Sequence, residues 1–232
     1  MLELISDIAP GMPNRSEREN ELRSDVLFSD CTELSKDIGD VTPGNALLLY
    51  GHPVVYRASL FMIEELLKRT DRVALIDGAN RFDVYTLARL AEMEGIRPSE
   101  VLDRVHLSRV FTGYQMDAVL TNGITPFLRL IHSRVFFVFG LLHTLFDDQM
   151  PARESYKSLL RIRSQFEILK KEGISIVLAS ENIYPHQSDR VNLTGYMLNM
   201  ADKAYLFNES SMHSINRKDL FALYRKRAVI KR

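Results

Sequence analysis

The run Val135-Phe136-Phe137-Val138-Phe139 sets the tightest limit on what this chain can fold into. Five consecutive bulky apolar residues cannot alternate between a dry face and a wet one, so a strand made of them is buried on both sides. β-branched and aromatic residues favour a strand over a helix of this length. Such a strand needs a layer of structure above it and another below. Residues 46–50, 73–77, 105–110 and 174–179 are also predicted strands, with 134–139 the most apolar of the set. Between them lie segments with helical spacing. Residues 57–69 carry Leu60, Ile63, Leu66 and Leu67, and residues 81–94 carry Leu87, Leu90 and Ala91. Residues 98–104, 114–131 and 153–171 are helical too, with Gly95 and Gly173 as stops and Gly123 and Pro126 as breaks or kinks. Strands alternating with helices predict an α/β fold: a mostly parallel twisted sheet with helices on both faces. A short helix at 191–200 and a C-terminal β-hairpin of 203–207 with 220–225 complete the reading.

The junction between the first strand and the first helix is the most informative stretch chemically. Gly51-His52-Pro53-Val54-Val55-Tyr56-Arg57-Ala58 stands where a phosphate loop, G-x-x-x-x-G-K-[ST], would stand. Gly51 fits the first position. Tyr56 replaces the second glycine, Arg57 the lysine and Ala58 the hydroxyl. A phosphate loop works by aiming backbone N–H groups at phosphate oxygens. Pro53 has none to give, and Val54 and Val55 are stiff. Arg57 keeps a charge but as a wide planar fork, and Ala58 cannot ligate Mg²⁺. Ser59 comes one residue late, rotated by about 100° on a helix. The stretch is either a phosphate loop that has lost its chemistry or a plain βα turn.

With 232 residues and a 46% hydrophobic share, the chain reads as one domain with a sizeable core and a lead-in. Formal net charge is zero, so no overall field draws it to nucleic acid or to an anionic membrane. The charge is nonetheless polarised: residues 1–40 hold ten acids against four bases, and residues 217–232 hold seven bases against Asp219 alone. That pattern suits a basic patch, head-to-tail self-association or two solvated faces. Cys31 is the single cysteine, so neither a disulfide framework nor a thiolate metal site is expected, which fits a reducing compartment. With no run long enough to span a bilayer and no basic leader, the expected location is the cytoplasm.

Other chemistry finds little support. The six histidines include no pair at i, i+4 beside a carboxylate, so no metal is expected. Asp147-Asp148 reads as a solvated turn. There is no nucleophile elbow and no cysteine nucleophile arrangement.

A family comes into view from the order of elements after residue 28. Leu34-Ser35-Lys36-Asp37-Ile38-Gly39 with Thr42-Pro43-Gly44, the run from Val73 to Phe82, and Pro98-Ser99-Glu100-Val101-Leu102-Asp103-Arg104-Val105 followed by Ser108-Arg109-Val110-Phe111 resemble the RecA/RadA recombinase superfamily, including its KaiC-like branch. Tyr114-Gln115 falls where that family usually has His-Gln. The resemblance implies a lead-in over 1–27 and a RecA-like domain over 28–232.

It also implies that the reaction is lost. The family's catalytic glutamate falls at Ala79, its Walker B aspartate at Gly140, and its polar sensor at Ser180-Glu181-Asn182. A methyl group cannot orient water, and glycine cannot support Mg²⁺. The expectation is a pseudo-ATPase without a cofactor or catalytic residues, whose vestigial phosphate-loop positions are Gly51, Tyr56, Arg57 and Ala58.

Two kinds of partner follow from the resemblance. Single-stranded DNA would meet two loops, 146–156 and 184–193, with Arg153, Lys157, Arg161, Arg163 and Arg190 as contacts; three of these recur every fourth residue. A peptide segment, from a recombinase or from a second copy, would lie in a groove of Phe82, Tyr85, Phe111 and Met116. The expected function is a non-hydrolysing paralogue in recombination or repair, in a homo- or hetero-oligomer. The alternatives are a protein-binding adaptor with no nucleic-acid role and an unorthodox nucleotide enzyme that uses Arg57.

Overall fold

The computed structural model describes residues 43–183, 188–208 and 212–215. The lead-in, the loop positions 184–187, the strand expected at 220–225 and the basic tail lie outside the described residues.

Seven strands form one sheet: β1 (Ala46–Gly51), β2 (Val73–Asp77), β3 (Val105–Arg109), β4 (Val135–Phe139), β5 (Ser175–Glu181), β6 (Lys203–Phe207) and β7 (Met212–Ile215). Their order is β3-β2-β4-β5-β1-β6-β7, and every pairing is parallel except β6 with β7. The fold is therefore α/β with a mostly parallel sheet and an antiparallel strand pair at its C-terminal end, consistent with a RecA-like core. One expectation is corrected here. The antiparallel partner of β6 is Met212–Ile215 and not 220–225, because a short connection brings 212 opposite Phe207 directly.

The period of two within each strand sorts the core. Leu48, Ala74, Ile76, Phe136, Val138, Ile176 and Leu178 face one side; Leu49, Val73, Leu75, Phe137, Phe139, Val177 and Ala179 face the other. All five residues of β4 are buried, as its unbroken apolar run requires.

Helices α1 (Val54–Leu67), α2 (Val84–Met93) and α3 (Pro98–Leu102) cover the second of these sides, called here the first face. The opposite face holds α4 (Gly113–Ala118), a π-helical turn (Val119–Gly123), α5 (Ile124–Leu130), α6 (Leu141–Leu145), α7 (Ala152–Lys171) and α8 (Asn192–Leu198). The π turn ends at Gly123, the residue read as a break. Pro126 follows in α5, which continues directly from the π turn with Gly123 in helical conformation. α1 begins three residues earlier than its apolar spacing suggests, at Val54, directly after Pro53. That shift decides the nature of the site.

Candidate functional site

In an open α/β sheet, ligands bind at the carboxyl ends of the strands where neighbouring connections leave to opposite faces. β1 and β2 lead into α1 and α2 on the first face; β4 and β5 lead to α6 and α8 on the other. The carboxyl ends of these four strands therefore bound the candidate site.

The β1–α1 connection is His52-Pro53 alone. Gly51 has φ +127°, and a Cβ there would lie 2.2 Å from the Phe207 carbonyl oxygen, so only glycine fits against β6. The His52 N–H donates to the Phe207 carbonyl at 2.9 Å, the Val54 N–H to His52 Nδ1 at 3.3 Å, the Val55 N–H to the His52 carbonyl at 3.1 Å and the Tyr56 N–H to the Pro53 carbonyl at 3.2 Å. Pro53 has no N–H. Each backbone donor from His52 to Tyr56 is thus already bonded within the chain. Tyr56 and Ala58 are buried in α1, while Arg57 is exposed on it.

Across from this turn, β2 ends in Asp77, which is buried. Its carboxylate accepts from the N–H groups of Ala79 (3.1 Å), Arg81 (3.0 Å) and Phe82 (2.9 Å). The acid is saturated by backbone and shapes the loop that carries Arg81. Ala79 lies in that loop, and Gly140, at φ +65°, packs directly on it: a Cβ on Gly140 would come within 2.4 Å of the Ala79 Cβ. The two positions read as catalytic glutamate and Walker B aspartate are pressed together, with no room for a side chain at Gly140.

Between these walls the chain supplies its own counter-charges. Glu181, at the end of β5, accepts from Arg81 at 3.2 Å and from His143 Nε2 at 2.8 Å. The Arg81 guanidinium lies 5.8 Å from the centre of the Tyr56 ring, and that ring packs on Phe139 at 5.3 Å. Tyr50 donates its hydroxyl to Asn182 Oδ1 at 2.8 Å, and the Asn182 N–H bonds the Gly51 carbonyl at 2.7 Å.

Burial lowers the His143 pKa below its ordinary value, against the pull of Glu181. A neutral ring donating from Nε2 satisfies the contact, and among the described residues the buried Nδ1 has no partner. Burial raises the Tyr56 hydroxyl above the ordinary tyrosine range, with Glu181 adding to the shift. Among the described residues, no three His, Cys, Asp or Glu side chains are grouped to hold a metal ion.

Of the sequence-derived contacts, Arg190 and the four-residue groove need correction. Arg190 is only 1% exposed: its guanidinium donates to the carbonyls of Leu145 (3.2 Å), Asp147 (2.5 Å) and Met150, so it ties two loops together and is not presented to a nucleic acid. Arg153, Lys157, Arg161 and Arg163 are exposed on α7, but Lys157 pairs with Glu154 at 2.7 Å and Arg161 with Asp117 at 2.5 Å. The four groove residues do not share one surface. Met116 belongs to the core of one face and Phe82 packs against the core of the other, while Tyr85 is 80% and Phe111 70% exposed. Half-exposed Tyr114 was not singled out from the sequence as a groove residue.

The cluster of Arg81, His143 and Glu181 escaped the sequence reading because its members are up to 100 residues apart. Only Glu181 carried a hint, as part of the sensor position. Comparison with protein-family models finds no match, and comparison with curated proteins finds none either.

Proposed function

We propose that this chain is a RecA-like pseudo-ATPase: a nucleotide-hydrolase architecture that acts by binding DNA, a recombinase-type protein or a second copy of itself, and not by turning over ATP. One observation carries the reading. Every backbone N–H from His52 to Tyr56 is bonded inside the chain, so the turn offers a triphosphate none of the donors on which such a pocket depends. The Arg81–Glu181 pair and the close packing of Gly140 on Ala79 support it, because both close the chain on itself at the carboxyl ends of the strands that bound the candidate site.

Thermal unfolding with millimolar Mg-ATP tests this. A ligand at about 100 times its Kd would stabilise the fold by about 2.7 kcal/mol. No shift in Tm is expected. A clear upward shift would overturn the reading and favour an unorthodox nucleotide enzyme.

A protein-binding adaptor with no nucleic-acid role is the second reading. It is favoured by Tyr85, Phe111 and Tyr114, large rings left exposed at the starts of α2 and α4, and by the ion pairs that occupy Lys157 and Arg161. Fluorescence anisotropy with single-stranded DNA across a salt series separates the two. Binding that weakens steeply with salt and ignores Mg-ATP supports DNA recognition; no binding at moderate salt supports the adaptor.

A further inference from the structure

We infer that Glu64 is a proton-operated control on the tie that Lys68 makes between the C-terminal ends of α1 and α2, the tie closed while the Glu64 carboxyl is neutral and loosened when it ionises. Glu64 lies inside the first-face layer and is 2% exposed. The strands beneath α1 contribute Leu47, Leu49, Val177 and Ala179 to this layer. Among the described residues its Oε1 has no hydrogen-bond partner. Among the described residues the cation paired with it is Lys68, with Nζ 3.4 Å away. Lys68 is shared: Nζ stands 2.6 Å from Glu65 and 3.4 Å from Glu94, which caps the end of α2. Arg104, a further cation at this end of α1, is held by the carbonyls of Leu67, Thr70 and Asp71.

One ammonium thus faces three carboxylates. With all three ionised the cluster carries two uncompensated negative charges, one of them buried, which is the costly arrangement. With Glu64 protonated, Lys68 serves the two outer acids and the buried carboxyl is neutral.

Burial pushes the Glu64 carboxyl up to about 7; Glu65 and Glu94 add to the rise and Lys68 opposes it. The folded chain therefore holds this proton more tightly than the unfolded chain. Stability from this group is present at low pH, is lost as pH climbs from the ordinary glutamate range toward 7, and changes no further above that. Over that window the unfolding constant rises on the order of a hundredfold. Because α1 starts beside the candidate site at Tyr56 and α2 follows the Asp77 loop, the device sits at the far ends of the two helices that lead from that site.

Amide hydrogen exchange on the full chain, corrected for the intrinsic pH effect, tests the tie. Protection in the last turns of α1 and α2 is expected to fall about tenfold or more between about pH 5.5 and pH 8 in the parent chain, and to stay level in Glu64→Gln. The same loss in Glu64→Gln, or no loss in the parent chain, would overturn the inference. Lys68→Gln supplies a second measurement should Glu64→Gln fail to fold. Removing the ammonium raises the midpoint of the Glu64 carboxyl titration read by carbon NMR, and an unmoved or lowered midpoint would also overturn it.

Discussion

His132 holds a backbone conformation usually left to glycine. It has φ +55° just past the end of α5, and the Ser133 N–H closes back on the Leu128 carbonyl at 3.0 Å, a glycine-type helix stop. Histidine is among the residues that tolerate this region, but its Cβ still costs energy there. His132→Gly is therefore expected to stabilise the fold by about 0.5–1 kcal/mol, less than the full left-handed penalty because glycine loses more backbone freedom on folding. A urea midpoint that rises with an unchanged slope would bear this out. Gly51 and Gly140 present the opposite case. Their positive φ angles coincide with contacts that no Cβ could enter: Gly51 lies against the Phe207 carbonyl, and Gly140, which by resemblance stands in place of an acid, is closed off by Ala79.

At the scale of elements, Arg190 is the instructive residue. On the 184–193 loop Arg190 reads as a nucleic-acid contact, and only the packing reveals a buried guanidinium bridging the end of α6 and the following turn. Arg190→Met would take the guanidinium from the buried carbonyls of Leu145 and Met150 and from the part-buried carbonyl of Asp147, and is expected to destabilise by about 3 kcal/mol, measured by urea unfolding. Lysine is a poor substitute because a single ammonium cannot reproduce the fork. The same contrast separates what was legible in the chain from what was not. β1, β2, β4 and β5 could be read because each is a short apolar run whose burial depends on composition alone. α6 could not, because five residues are too few to show a helical period and Gly140 precedes it as an apparent break. The cluster of Arg81, His143 and Glu181 had no local spacing to betray it, since the loop after β2, helix α6 and the end of β5 deliver its members to one place.

For the molecule as a whole, the order of strands sets how the chain can come together. β1 lies near the start of the described residues, yet its neighbours are β5 and β6: Leu48 pairs with both Leu178 and Ala204. Everything synthesised between β1 and β5 can assemble only β2, β3 and β4, with β1 left unpaired on both edges. Leu47, Leu48 and Leu49 then have no ladder to join, and the face of α1 that packs on β1 and β5 loses its floor. Such long-range pairing means that the entropy of closing a long loop is lost before the central ladder forms, which slows folding and makes it cooperative. A fragment ending at Gly173 keeps most of the helices but is expected to show no cooperative unfolding transition in urea, whereas the full chain shows one. If the fragment instead unfolded with a sharp midpoint, β2, β3 and β4 with their helices would form an independent unit, and the sheet would be two folding bodies joined along β4 and β5.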